Sequence, residues 1–204
     1  MFMKKDNDAY RYQNPSVCRV PDGYRRIIGT SFRGGKYIRT LHLPSTLKTV
    51  SPRAFQPLTS LTRLNIPSSV TTVGDYAAFS MLNLKSVSGF GGLTEAGSGI
   101  FAGCESLHTA IFADGMRVIG DRMFWNCNLR EVVIPKTVRS IGEAAFELNR
   151  HLRKVTILSN EVSFGKGIFH GCDALRQIAC TAAVKEVLIK EYPDVRYRVI
   201  TIIK

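Results

Sequence analysis

Residues 136–158 read KTVRSIGEAAFELNRHLRKVTIL, and the chain on either side says nearly the same thing. Residues 114–135, DGMRVIGDRMFWNCNLREVVIP, precede the stretch, and residues 159–181, SNEVSFGKGIFHGCDALRQIACT, follow it. Self-similarity at a fixed period of this order is the mark of a repeat architecture. Phenylalanine recurs at Phe32, Phe55, Phe79, Phe101, Phe124, Phe146 and Phe169, at intervals of 23, 24, 22, 23, 22 and 23 residues.

The same grammar surrounds each phenylalanine. Ile38, Leu61, Leu84, Leu107, Leu129, Leu152 and Leu175 stand five or six residues later. A short alternating stretch follows, as in LTRLNIP, LREVVIP and LRKVTIL. Alternation with β-branched residues, closed by proline, predicts a short strand. An apolar pair and a glycine come next, the glycines being Gly74, Gly97, Gly120, Gly142 and Gly165. Glycine there suits either a positive φ or a close backbone approach.

A unit of about 23 residues with one short strand cannot bury a core alone, so each must stack on its neighbours. Stacked strands would pair at roughly 4.8 Å spacing, with the Phe, Leu and Val/Ile positions forming continuous columns inside. Residues 61–82, LTRLNIPSSVTTVGDYAAFSML, and 129–148, LREVVIPKTVRSIGEAAFEL, follow the pattern LxxIxIPxxVxxIGxxAFxxC. This pattern resembles the BspA-like leucine-rich repeat family. The resemblance spans about residues 16–181 in seven copies. It implies an α/β solenoid: a right-handed coil with a parallel sheet on one face and short helical turns and irregular structure on the other. Three departures stand out. Gly89-Phe90 replaces Ile-Pro, Glu161 falls at an apolar position, and the first copy reads as one residue short near Ile28-Gly29.

Residues 1–15 read as a polar tail, 16–181 as the solenoid of about seven coils, and 182–204 as a C-terminal cap. Within the cap, Val184, Val187, Leu188 and Tyr192 have helical spacing up to Pro193-Asp194, and VRYRVITII reads as a strand. Such a cap is needed because an open last coil would expose core.

Composition narrows the functional classes. The 204 residues carry 28 Lys+Arg against 16 Asp+Glu, a net charge of +12. This surplus favours encounter with polyanions without specifying one. No apolar run reaches the roughly 18 residues that span a bilayer. The first residues, MFMKKDNDAYRYQNPS, lack the apolar segment of a signal peptide. The family resemblance implies a cell-surface or extracellular setting; the missing signal keeps the cytoplasm as the alternative. Five cysteines leave at least one without an intrachain partner, and Asn14-Pro15-Ser16 is blocked by proline as a glycosylation site.

No catalytic or cofactor signature emerges. Cys104, Cys127 and Cys172 each stand three residues after a repeat phenylalanine, where Leu58 and Leu82 appear in other copies. They read as small buried fillers; adjacency in neighbouring coils leaves a Cys104–Cys127 disulfide open without pointing to it. His42, His108, His151 and His170 occupy four different repeat positions, with no zinc-type spacing. GKGIFHG lacks phosphate-loop spacing, and no G-x-S-x-G elbow occurs. The expectation is a non-enzymatic monomer with no metal and no cofactor.

Binding candidates do emerge. The residue after the recurring Leu/Ile reads Arg39, Thr62, Lys85, His108, Arg130, Arg153, Arg176, so five of seven positions are Lys or Arg. With 28 such residues among 204, chance supplies about one. Stacking would turn the set into a basic stripe at the sheet rim, with Arg130, Arg153 and Arg176 contiguous. Repulsion under about 1 kcal/mol per pair in water leaves a plain solvated edge as the competing reading. Trp125 follows the repeat phenylalanine at a mostly polar position, so exposure and an interface role are expected. The resemblance implies a protein partner or adhesion. An acidic glycan or other polyanion on the stripe is the alternative; nucleic acid fits less well, because the outward strand positions lack aromatic residues.

Overall fold

The computed structural model describes residues 16–192 and 199–202. The expected tail, residues 1–15, and residues 193–198 and 203–204 of the expected cap lie outside the described residues. Each coil contributes one strand to a main parallel sheet: β1 (Val17–Arg19), β3 (Thr40–His42), β5 (Arg63–Ile66), β7 (Ser86–Gly89), β9 (Thr109–Phe112), β11 (Glu131–Ile134), β13 (Lys154–Ile157) and β15 (Gln177–Cys180). Register follows the repeat, with Arg63 against Ser86 against Thr109, and Glu131 against Lys154 against Gln177. The solenoid that the repeat implies is the structure of the protein.

A second, narrower ladder was not anticipated. The second apolar residue of each coil's pair, with the residue before it, forms a two-residue strand: β2 (Arg26–Ile27), β4 (Thr49–Val50), β6 (Thr72–Val73), β8 (Glu95–Ala96), β10 (Val118–Ile119), β12 (Ser140–Ile141) and β14 (Ser163–Phe164). These strands also pair in parallel, β2-β4-β6-β8 and β10-β12-β14. Two residues are too few to show alternation, which is why only the first strand of each coil is legible as one. Among the described residues turns occupy most of the remainder, with a 3-10 turn at Gly35–Tyr37. The repeat glycines serve close approach rather than positive φ. A Cβ on Gly74 would lie 2.6 Å from the backbone nitrogen of Pro52 in the preceding coil, while the Gly74 amide donates to the Val50 carbonyl.

The ring column needs one correction. Phe79 is 38% exposed, and Ala78 is the buried residue in phase with Phe55 and Phe101. Counting Ala78 instead gives intervals of 23, 23, 23, 23, 22 and 23 residues. Phe32 and Phe55 stack at 5.9 Å, and Phe101, Phe124, Phe146 and Phe169 stack in succession at 5.4, 5.7 and 6.0 Å. Phe90 compensates for the small Ala78: fully buried, it meets the edge of Phe101 at 5.8 Å. It reaches the core because Gly89 turns at φ 100 and Phe90 itself at φ 70. A Cβ on Gly89 would collide with the Ile66 carbonyl. The Gly89-Phe90 departure is therefore a core substitution. By the same shift Met81 fills the slot expected for Leu82, which is 57% exposed. The first copy is not short: Ile27 pairs with Val50 at the full 23-residue interval, and Ile28 takes the glycine position.

The one missing residue lies between Cys127 and Leu129. In regular coils the recurring leucine amide closes a turn onto the carbonyl three residues back, as Leu107 does on Cys104 at 2.8 Å. Leu129 follows Cys127 by only two residues and cannot close this turn. Its amide donates instead to Asn149 Oδ1 of the next coil at 3.0 Å. Fully buried, Asn149 also donates from Nδ2 to the Phe124 and Phe146 carbonyls at 2.7 and 2.9 Å.

At the C-terminal end, α1 (Ala182–Glu191) is capped by the Thr181 hydroxyl, which accepts from the Val184 amide. It buries Val184 and Leu188 against the last coil. The Tyr192 hydroxyl donates to the Gly165 carbonyl. The strand β16 (Val199–Ile202) then adds parallel to β15.

Candidate binding surface

The recurring leucines are fully buried and anchor the residue after each at the margin of the main sheet. Arg39, Lys85, Arg130, Arg153 and Arg176 are exposed there. The amide of Arg153 donates to the Arg130 carbonyl at 2.8 Å, and that of Arg176 to the Arg153 carbonyl at 3.0 Å. These three therefore occupy consecutive rungs about 4.8 Å apart. Arg39 and Lys85 stand apart from them. Thr62 separates the two, and the half-buried His108, bonded to Thr109 Oγ1 at 3.0 Å, separates Lys85 from Arg130.

Carboxylates lie against other basic side chains: Glu143 meets Arg122 at 3.4 Å, Asp173 meets Arg150 at 3.6 Å, and Glu147 meets His170 at 2.8 Å. Among the described residues none pairs with Arg130, Arg153 or Arg176. Arg176 Nη1 donates to the Asp173 and Leu175 carbonyls at 2.8 and 3.4 Å, which orients its guanidinium over the turn. Beside the stripe, the outward face of the sheet shows Ile111 and Val133, 61% and 52% exposed, in adjacent coils.

Trp125 is half-buried, a correction to the expected exposure. One rung back its position is taken by Ala102, which is buried. No cation–π contact joins Trp125 to an arginine among the described residues; Lys36 over Tyr37 at 4.9 Å is such a contact elsewhere. The structure places Trp125 on the turn side of the coil, in the column of the exposed Phe79. Phe79 meets Tyr76 edge-on at 5.6 Å, with exposed Leu82 nearby in sequence. Sequence reasoning missed this patch because Phe79 looked like a core anchor. The signal was present: the 24-then-22 irregularity around it disappears when Ala78 is counted.

The cysteines behave as core. All five are buried. Cys104, Cys127 and Cys172 donate from Sγ to the carbonyls of Ala78, Phe101 and Phe146 in the preceding coil at 3.1, 3.2 and 3.1 Å. Asn149 makes the equivalent bond to Phe124. Burial pushes the Cys104 thiol up to about 12 and Cys127 well above its ordinary value. A thiol held neutral is neither nucleophile nor metal ligand at neutral pH. Among the described residues no group of His, Cys, Asp or Glu has the arrangement to hold a metal ion. No helix of the described residues is long and apolar enough to cross a membrane.

The family model of the BspA type leucine-rich repeat region matches residues 5–130 and 77–192, in 6 copies. The chain belongs to that family. A search of curated proteins gave no match. Among solved structures, a leucine-rich repeat protein from Bacteroides ovatus superposes with a TM-score of 0.64 at 19% identity, over 93% of this chain and 54% of the other. A leucine rich cell surface protein from Faecalibacterium prausnitzii gives 0.57 at 17% identity, over 84% and 61%. The T. pallidum leucine-rich repeat protein gives 0.58 at 25% identity, over 86% and 70%. The BspA type chain thus shares its coil with these proteins and spans about half the length of the first.

Proposed function

We propose that the chain is a non-enzymatic protein-binding module of a cell-surface or extracellular protein. Its binding surface is the arginine margin of the main sheet together with the adjoining outward face. The observation that carries this is that Arg130, Arg153 and Arg176 form no ion pair among the described residues and stand at the margin of a face where Ile111 and Val133 are exposed. Exposed apolar side chains give a protein partner area to bury, and arginine is enriched at interface centres. Family membership and the relative described as a cell surface protein support the setting.

The net charge of +12 and the arginine spacing favour a second reading, an acidic glycan or other polyanion lying along the stripe. Salt separates the two. Captured from a panel of extracellular-matrix proteins, heparin and nucleic acid, a polyanion complex loses affinity steeply as salt rises. A protein interface that uses Ile111 and Val133 keeps most of its affinity in moderate salt. Absence of binding to every member of the panel sets both readings aside.

A further inference from the structure

The turn at residues 158–161 breaks the repeat and opens a pocket at the opposite margin of the main sheet. In the preceding coil Pro135-Lys136-Thr137-Val138 makes the turn, and Val138 is fully buried. One coil on, Leu158-Ser159-Asn160-Glu161 occupies the equivalent positions, as the pairing of Ile134 with Ile157 fixes. Glu161 should stand inside and does not. It is exposed, Leu158 is 42% exposed where proline is usual, and Ser159 turns inward to be fully buried. The Ser159 hydroxyl donates to the Val138 carbonyl at 2.7 Å and contacts the Glu161 carbonyl and amide at 3.3 and 3.4 Å. The turn is pinned in this open form by a buried side chain.

The result is a pocket of about 370 Å³ lined by Lys136, Thr137, Arg139, Leu158, Asn160 and Glu161. Arg139 is fixed in place. Its Nη1 donates to the carbonyls of Lys136 and Val138 at 2.8 and 3.4 Å and reaches Ser159 Oγ at 3.4 Å. Exposed Arg117 lies one rung back, its carbonyl accepting from the Arg139 amide at 2.8 Å. Among the described residues no carboxylate pairs with Lys136, Arg139 or Arg117. Thr137 is a wall rather than a ligand group, because its hydroxyl is spent on the Gly115 amide and the Met116 carbonyl.

From this arrangement we infer that the pocket binds one unit of an acidic saccharide. Lys136 and Arg139 take the carboxylate or sulfate through charge-assisted hydrogen bonds. Asn160 and Glu161 take ring hydroxyls, which need both donors and acceptors. Leu158 supplies an apolar contact for the C–H face of the ring. A concave, partly apolar site with a few convergent polar groups is the usual form of a small-ligand site. Positions where a repeat departs from its own rule are where function is expected. The site stands apart from the arginine stripe, so its test leaves that reading untouched.

The test is titration of the folded chain with sodium glucuronate, followed by amide chemical shifts. Glucose and inorganic sulfate serve as controls. Shifts are expected at residues 136–139 and 158–161, saturating with glucuronate and weaker with either control. Lys136→Ala and Asn160→Ala, both on exposed side chains outside the core, should each weaken binding by about threefold or more, the loss of a hydrogen bond to ligand. Equal response to sulfate makes the pocket an anion site without saccharide recognition and overturns the proposal. So does equal response to glucose, no response to glucuronate, or unaltered affinity in both variants while their spectra stay folded.

Discussion

Of the turns that depart from the repeat, those at Cys127–Leu129 and at residues 158–161 are resolved in opposite ways. At Cys127–Leu129 one residue is missing, and the amide left over is taken by Asn149 from the next coil. The repair lies wholly inside the core. At residues 158–161 no residue is missing, yet an acidic side chain replaces an apolar one, and the turn opens outward around Ser159. The first departure satisfies its own backbone and leaves at its surface only half-buried Asn128, whose Oδ1 has no hydrogen-bond partner among the described residues. The second leaves a pocket in which Lys136 and Arg139 form no ion pair among the described residues. An irregularity closed by the core belongs to stability, and one left open is where a ligand should be sought.

Several variants can break or sharpen this contrast. Asn149→Leu removes three hydrogen bonds and strands the Leu129 amide, so a loss of about 2–4 kcal/mol is expected in denaturant unfolding. Inserting one serine after Asn128 in an Asn149→Cys background restores the regular turn and the regular slot. Its stability should return to within about 1 kcal/mol of the parent. Failure of that rescue would separate Asn149 from the missing residue.

The thiol column gives an effect of intermediate size. Burial raises the Cys104 pKa from 9.0 to about 12. A value raised in the folded state stabilises the fold fully below the unfolded value, and that contribution disappears as pH climbs from 9 toward 12. Unfolding midpoints across this range should therefore fall more steeply for the parent than for Cys104→Ala. Glu161→Val should shift stability by no more than about 0.5 kcal/mol, since the side chain is exposed, and Phe79→Ser by about 0.5–1.5 kcal/mol, since Phe79 loses its edge-on contact with Tyr76. A large loss in either would mean that these positions hold core contacts.

Most of the coil was legible because the recurring leucines, glycines and β-branched strand residues report burial at a period that chance does not give. What escaped was local. Phe79 and Ala78 are neighbours in sequence, and hydrophobicity alone favours the wrong one as the ring in the column. Asn149 stands where other copies have Cys or Leu, and its role becomes visible only once the missing residue one coil earlier gives its amide group a partner. The two-residue strands are shorter than any alternation signal. The stripe Arg39, Lys85, Arg130, Arg153 and Arg176 was visible as a column, but not that acids would neutralise Arg122 and Arg150 while sparing Arg130, Arg153 and Arg176. Trp125 was misjudged because the polar residues at its position in other copies say nothing of how far neighbouring coils cover it once stacked.

The central claim is that the arginine margin, rather than the aromatic turn side, meets the partner. It is tested by comparing two variants against the partner that the binding panel selects. The first is Arg130→Ala/Arg153→Ala/Arg176→Ala, and the second is Phe79→Ser/Leu82→Ser. All these side chains are exposed, and unchanged circular dichroism should confirm that both variants remain folded. The account predicts at least about a tenfold loss of affinity in the arginine variant, as expected for interface anchors, and parent-like binding in the other. Parent-like binding by the arginine variant, with affinity lost in the Phe79/Leu82 variant, would contradict it.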